Sequence, residues 1–205
     1  MNRHFKKVFL ITGNHEYYGN HIDKVDDYIR HLVRNLGNVV FLQNEAYEWN
    51  GIVWIGSTLW TAVKENTPRR VLLQYNDFGM IRGMTLECYN ALHKKAVVFL
   101  ESTIKKQKSP VVVITHHLPL KELVLPEYQK EEYKAMAQYY SSDCSLVVGE
   151  RVVLWVYGHT HKGSVQEWRG VSFVCAPLGY RGETPEESVE YSKTVLVKEK
   201  SQSNR

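Results

Sequence analysis

Cysteine is scarce. Cys88, Cys144 and Cys175 lie far apart and form no CxxC pair. An odd, scattered count argues against a disulfide framework and for reduced thiols in a cytosol-like compartment. Long apolar runs are also missing; none approaches the roughly 20 residues of a membrane-spanning helix. The start, MNRHFKKVFLIT, is basic, but its apolar run is too short for a signal-peptide core and leads straight into polar residues. These absences give the expectation of a soluble, cytoplasmic protein. Charge of one sign is not concentrated anywhere. The net charge is +4, with Lys and Arg spread along the chain, so a nucleic-acid footprint is not indicated. There is no internal repeat and no Gly/Ser- or Pro-rich linker. The 205 residues therefore read as one domain, expected over residues 1–197 with a polar tail, KEKSQSNR, at 198–205.

Familiar catalytic strings are absent too. No GxxxxGK[ST], GxGxxG or GxSxG occurs. The stretch HEYYGNH is not HExxH, because His21 falls six residues after His15. A zincin helix is thereby excluded.

What is present alternates between strand and helix patterns. Val8 to Thr12 reads as a buried strand, and Ile22 to Leu36 repeats at helical spacing before Gly37. Asn38 to Gln43 reads as a strand, and Asn50-Gly51 predicts a tight hairpin between 45–50 and 52–57. Leu86 to Ile104 predicts a second amphipathic helix. Val111 to Thr115 and Val152 to Tyr157 read as buried strands. A short helix is expected near Glu131 to Tyr139, a hairpin around Arg169-Gly170 and a last strand at Thr194 to Val197. The tryptophans at 49, 54, 60, 155 and 168 read as core residues, mostly within strand patterns.

Three apolar strands, VFLIT, VVVIT and VVLWVY, each run directly into a histidine-bearing loop: GNHE at 13–16, HH at 116–117 and GHTH at 158–161. Continuous apolar runs suit strands covered on both faces. In layered α/β folds, ligands gather beyond the carboxyl ends of such strands. If the three strands share a sheet and a direction, Asn14, His15, His116, His117, His159 and His161 converge. Imidazole nitrogens and an amide oxygen suit divalent first-row metals such as Mn, Zn and Fe. A lone histidine is more often a surface or hydrogen-bonded residue, which suffices for His4, His21, His31 and His93.

GNHE, THH at 115–117 and GHTH, in that order and at strand ends, resemble the last three motifs of the calcineurin-like metallophosphoesterases; GSTLW at 56–60 and YNDF at 75–78 are similar to bacterial-type members. The resemblance covers about residues 6–182. It implies a four-layer α/β/β/α sandwich and metal-dependent hydrolysis of phosphate mono- or diesters through a metal-activated water. Asn14, His116 and His159 would ligate one divalent ion (Mn, Zn or Fe), and His161 a second. His15 would act as acid on the leaving oxygen, Glu16 would orient the His15 ring, and His117 would sit at the rim. A phosphorylated substrate is implied, but its identity is not.

The family's two earlier motifs, D-x-H and G-D, do not occur in the chain; its aspartates are at 23, 26, 27, 77 and 143, outside any such context. The pattern reads as an N-terminally truncated version of the sandwich, with a centre that is impaired or incomplete. Three readings stay open: an incomplete enzyme, a weak single-ion enzyme, and a catalytically inactive interaction module.

Overall fold

A computed structural model describes residues 4–130, 133, 137–149 and 151–180. The strand expected at 194–197, the tail at 198–205 and part of the segment 131–136 lie outside the described residues. Among the described residues, eight strands form two sheets. β1 (Val8–Leu10) pairs in parallel with β2 (Val39–Phe41). The larger sheet has the order β3-β4-β5-β6-β8-β7, with β3 (Glu45–Trp49), β4 (Ile52–Ser57), β5 (Val111–Thr115), β6 (Val152–Tyr157), β7 (Ser164–Trp168) and β8 (Val171–Cys175). Its central strands β4, β5, β6 and β8 are parallel, and each edge is closed by an antiparallel hairpin partner.

Both hairpins turn through paired positive φ angles, 52° and 72° at Asn50-Gly51 and 50° and 70° at Arg169-Gly170. That is the twist a two-residue turn needs to match its strands. Helix α1 (Ile22–Val33) lies against β2 and ends four residues before Gly37. Two short helices, α2 (Arg69–Leu72) and α3 (Asn76–Met80), fill a region with little periodicity. The long helix α4 (Leu86–Lys106) starts at Thr85, whose hydroxyl accepts the Cys88 N–H, and ends in Lys105-Lys106, favourable at the negative end of the helix dipole. α5 (Ala137–Tyr140) occupies the end of the segment where a short helix is expected.

The layers follow from side-chain alternation. On one face of the large sheet, Val53, Ile55, Val111, Val113 and Trp155 pack against Ala96, Leu100 and Ile104 of α4. On the other, Val112, Leu154 and Val174 form a smaller cluster with Trp54, on which the Phe9 ring of β1 stacks at 4.4 Å. The result is helix, sheet, sheet, helix. The layers also meet closely at Gly56 of β4, where a Cβ would collide with Leu42 and Ile11. A third cluster, rich in tyrosine, gathers Tyr17, Trp60, Tyr75, Tyr89 and Tyr139. Trp60 belongs to it from a loop, not a strand.

The loops converge without the condition of one shared sheet being met. β1 does not share a sheet with β5 and β6; the strand hydrogen-bonded beside β5 on that side is β4. The three histidine-bearing loops therefore meet across two sheets.

Among the described residues no helix is long and apolar enough to cross a membrane.

Candidate functional site

The chain leaves β1 through Ile11-Thr12 and turns at Gly13 into a short 3-10 turn, His15–Tyr17. Gly13 is required for space. A Cβ there would sit 2.7 Å from two atoms of the His116 ring and 3.0 Å from the Glu16 carboxylate. Glu16 folds back to accept the Gly13 N–H at 2.7 Å. Asn14, 1% exposed, then points its amide inward.

At the end of β5, Thr115 holds the next turn by donating from its hydroxyl to the His117 carbonyl and accepting the Trp155 indole N–H at 2.9 Å. Side chains alternate at this strand end, so His116 and His117 part. His116 turns into a cleft of about 730 Å³, whereas His117 is buried. His117 Nδ1–H donates to the Thr58 carbonyl at 3.2 Å. Its expected place at the rim is thus corrected. Beyond β6, His159 has φ of 63°, a left-handed backbone that non-glycine residues seldom adopt and that clusters at functional positions. This turn swings its ring back toward His116.

Three loops bring their donors together. His116 Nε2 lies 2.9 Å from Asn14 Oδ1 and 3.2 Å from His159 Nδ1. Ligands at about 2.1 Å from a shared ion stand about 3.0–3.4 Å from one another in octahedral or tetrahedral arrangement. Both spacings from His116 fall near the range for ligands of one ion. Among the described residues no group of three or more His, Cys, Asp or Glu side chains gathers as a metal cluster; the gathering present takes an amide as its third donor.

Burial holds the His116 and His159 imidazoles well below their ordinary pKa, with neighbouring histidines, His117 first for both, adding to the effect. Neutral rings keep the lone pairs that ligation needs. Burial likewise takes His117 down to about 4, against an opposing pull from Asp77.

His15 and His161 are exposed on the cleft wall. Tyr180 stands between them. Its hydroxyl is 3.2 Å from the His15 ring nitrogens, and the His161 ring meets its ring edge-on at 4.5 Å. Glu16, expected to orient the His15 imidazole, meets the Gly13 amide in this geometry.

Sequence reasoning missed Asp77, Tyr18, Tyr139 and Tyr180. The first three surround Asn14: its Nδ2 donates to Asp77 Oδ1 at 2.8 Å, Tyr139 Oη at 3.1 Å and Tyr18 Oη at 3.3 Å. Only the quoted string YNDF held a signal for any of them.

An uncharacterized protein of Acanthamoeba polyphaga mimivirus is 26% identical over 196 residues, 87% of this chain and 70% of its own length. The crystal structure of phosphopantetheinyl hydrolase from Mycobacterium tuberculosis superposes with a TM-score of 0.66 at 16% identity, over 87% of this chain and 71% of that one; at such identity the likeness is one of fold. The model of the calcineurin-like phosphoesterases matches residues 1–163, across all three histidine-bearing loops. The chain belongs to the calcineurin-like phosphoesterase family.

Proposed function

We propose that this chain is a metal-dependent phosphoesterase acting on phosphate mono- or diesters, with Asn14, His116 and His159 as ligands of one divalent ion, Mn, Zn or Fe. His161 would face a second position. Family membership supports phosphoesterase-type chemistry and phosphorylated substrates in general. The observation that carries the reading is the meeting of three donor atoms at 2.9 and 3.2 Å from loops as far apart as residues 14 and 159.

When bound, such an ion would offset phosphate charge and lower the pKa of an attacking water. The protein's own part is positional. The buried rings of His116 and His159 stay neutral, and Asn14 is fixed by three partners on its amino group. His15, exposed on the cleft wall beside the Tyr180 hydroxyl, would pass a proton to the leaving oxygen. Glu16 keeps the Gly13 turn closed, which sets the position of His15.

The test is hydrolysis of p-nitrophenyl phosphate and bis(p-nitrophenyl) phosphate with Mn or Zn. His15→Ala should lose turnover while retaining the ion; His159→Ala should lose both. Absence of turnover with every divalent ion would reject the enzyme reading for this chain.

A second reading has one observation in its favour: the donor trio is neutral, with no carboxylate among its members. On that reading the fold serves as an interaction module. It would bind no metal and would form a stable complex with a partner protein.

A further inference from the structure

Asp77, at the start of α3, lies outside the donor trio but is completely buried. Its Oδ1 accepts an N–H from Asn14 at 2.8 Å and the Tyr18 O–H at 2.9 Å. Its Oδ2 has no hydrogen-bond partner among the described residues. The ion pairs among those residues are Arg30–Glu45 and Lys105–Glu101, so neither involves Asp77. Burying a carboxylate away from a cation is costly, and proteins offset it by pairing or by a metal. A buried carboxylate with no ion-pair partner among the described residues, directly behind Asn14, calls for a cation on the far side of that amide.

The chemistry of the amide specifies how the two are linked. A carboxylate oxygen accepts only, so the edge of Asn14 facing Asp77 is its amino group. The carbonyl edge must then face His116, where Oδ1 stands 2.9 Å from Nε2. Donation to a carboxylate also draws positive charge toward the amino end and leaves Oδ1 more negative. We propose that Asp77 is the positioning residue that makes Asn14 a cation ligand and supplies, through the amide, the negative charge that the trio lacks. This rests on the metal reading above. Neighbouring hydroxyls from Tyr18 and Tyr139 complete the cradle but could accept or donate, so they do not fix the amide's orientation.

The full chain, stripped of metal and titrated with MnCl2 by calorimetry, tests this, with thermal melts recorded with and without Mn. Asp77→Asn should weaken Mn binding about 10- to 100-fold, as loss of a partner that orients a ligand does. The metal-free melting temperature should hold or rise, because an unpaired buried charge is gone, while the Mn-induced rise shrinks. The exchanged pair Asn14→Asp/Asp77→Asn moves the charge into direct contact with the ion and leaves an amide to donate to it, so Mn binding should return. Asp77→Asn that binds Mn like the wild type but melts lower without metal would overturn the proposal, leaving Asp77 a packing residue. Should Asp77→Asn not fold, the exchanged pair decides: recovery of Mn binding supports the proposal, and a folded pair that ignores Mn overturns it. A wild-type chain that binds no Mn would reject the metal reading itself, and this inference with it.

Discussion

Gly13 and His116 touch so closely that no side chain fits between them: the ring's Nδ1 and Cε1 each come within 2.7 Å of where a Cβ on Gly13 would stand. Gly13→Ala must push the ring away from Asn14. The expected outcome is a loss of about 1–3 kcal/mol in urea unfolding, the usual effect of overpacking. Divalent-ion binding should weaken as well, because His116 Nε2 stands at the centre of the donor trio.

Glu16 gives a sharper distinction. Its carboxylate accepts the Gly13 N–H, which any acceptor at that position can meet. Glu16→Gln keeps an acceptor and should leave stability within about 0.5 kcal/mol of the wild type. Glu16→Ala removes it and should lose about 1 kcal/mol. If instead the carboxylate serves the His15 imidazole during turnover, Glu16→Gln will shift the acid limb of the pH–rate profile while leaving unfolding unchanged.

Acid should weaken the fold from an unusually high pH. His117 has its folded pKa lowered to about 4, and His116 and His159 move in the same direction. In the unfolded chain these groups take up protons as pH falls through about 6.5. Between that value and the folded pKa the unfolded state binds more protons, so stability falls with pH by up to about 1.4 kcal/mol per unit for each group. The stabilising effect is complete above about 6.5 and, for His117, is lost by about 4. Urea midpoints at pH 7.5, 6 and 5 check this; a flat profile would show that these rings are not held neutral.

Trp155 couples the core to the site. Its buried ring packs beside Phe173, and its N–H reaches Thr115, which holds the His117 carbonyl. Trp155→Ala should lose about 3–5 kcal/mol. Trp155→Phe keeps much of the volume but drops the hydrogen bond, so it should lose less stability yet still loosen the turn that carries His116. Thermal melts paired with ion titration separate the two effects.

The parts of the fold legible in the sequence are those whose signal is local. Asn50-Gly51 announced its hairpin because both residues tolerate positive φ, and β5 and β6 announced themselves as unbroken apolar runs. The gathering of Asn14, His116 and His159 could be anticipated because each loop follows a buried strand. Which of the sandwich's two sheets holds each histidine-bearing strand could not, since no local pattern says which strand will pair beside β5. His117 was misplaced because sequence alone does not tell which of two consecutive histidines faces the cleft; the Thr115 and Thr58 contacts do that. Asp77 could not be assigned a role because it lies in a five-residue helix without periodicity, and its meaning comes from a partner 63 residues away.

The seam between the sheets has one more consequence. Asn14 is carried from the two-stranded sheet and His116 and His159 from the six-stranded one, while Thr12 and Thr58 stitch the layers through side-chain and carbonyl contacts at 3.1 and 2.9 Å. An ion gripped by all three would act as a rivet through both plates. Amide hydrogen exchange at Leu42, whose N–H bonds the Leu10 carbonyl across the narrow sheet, should therefore slow when the rivet is in place.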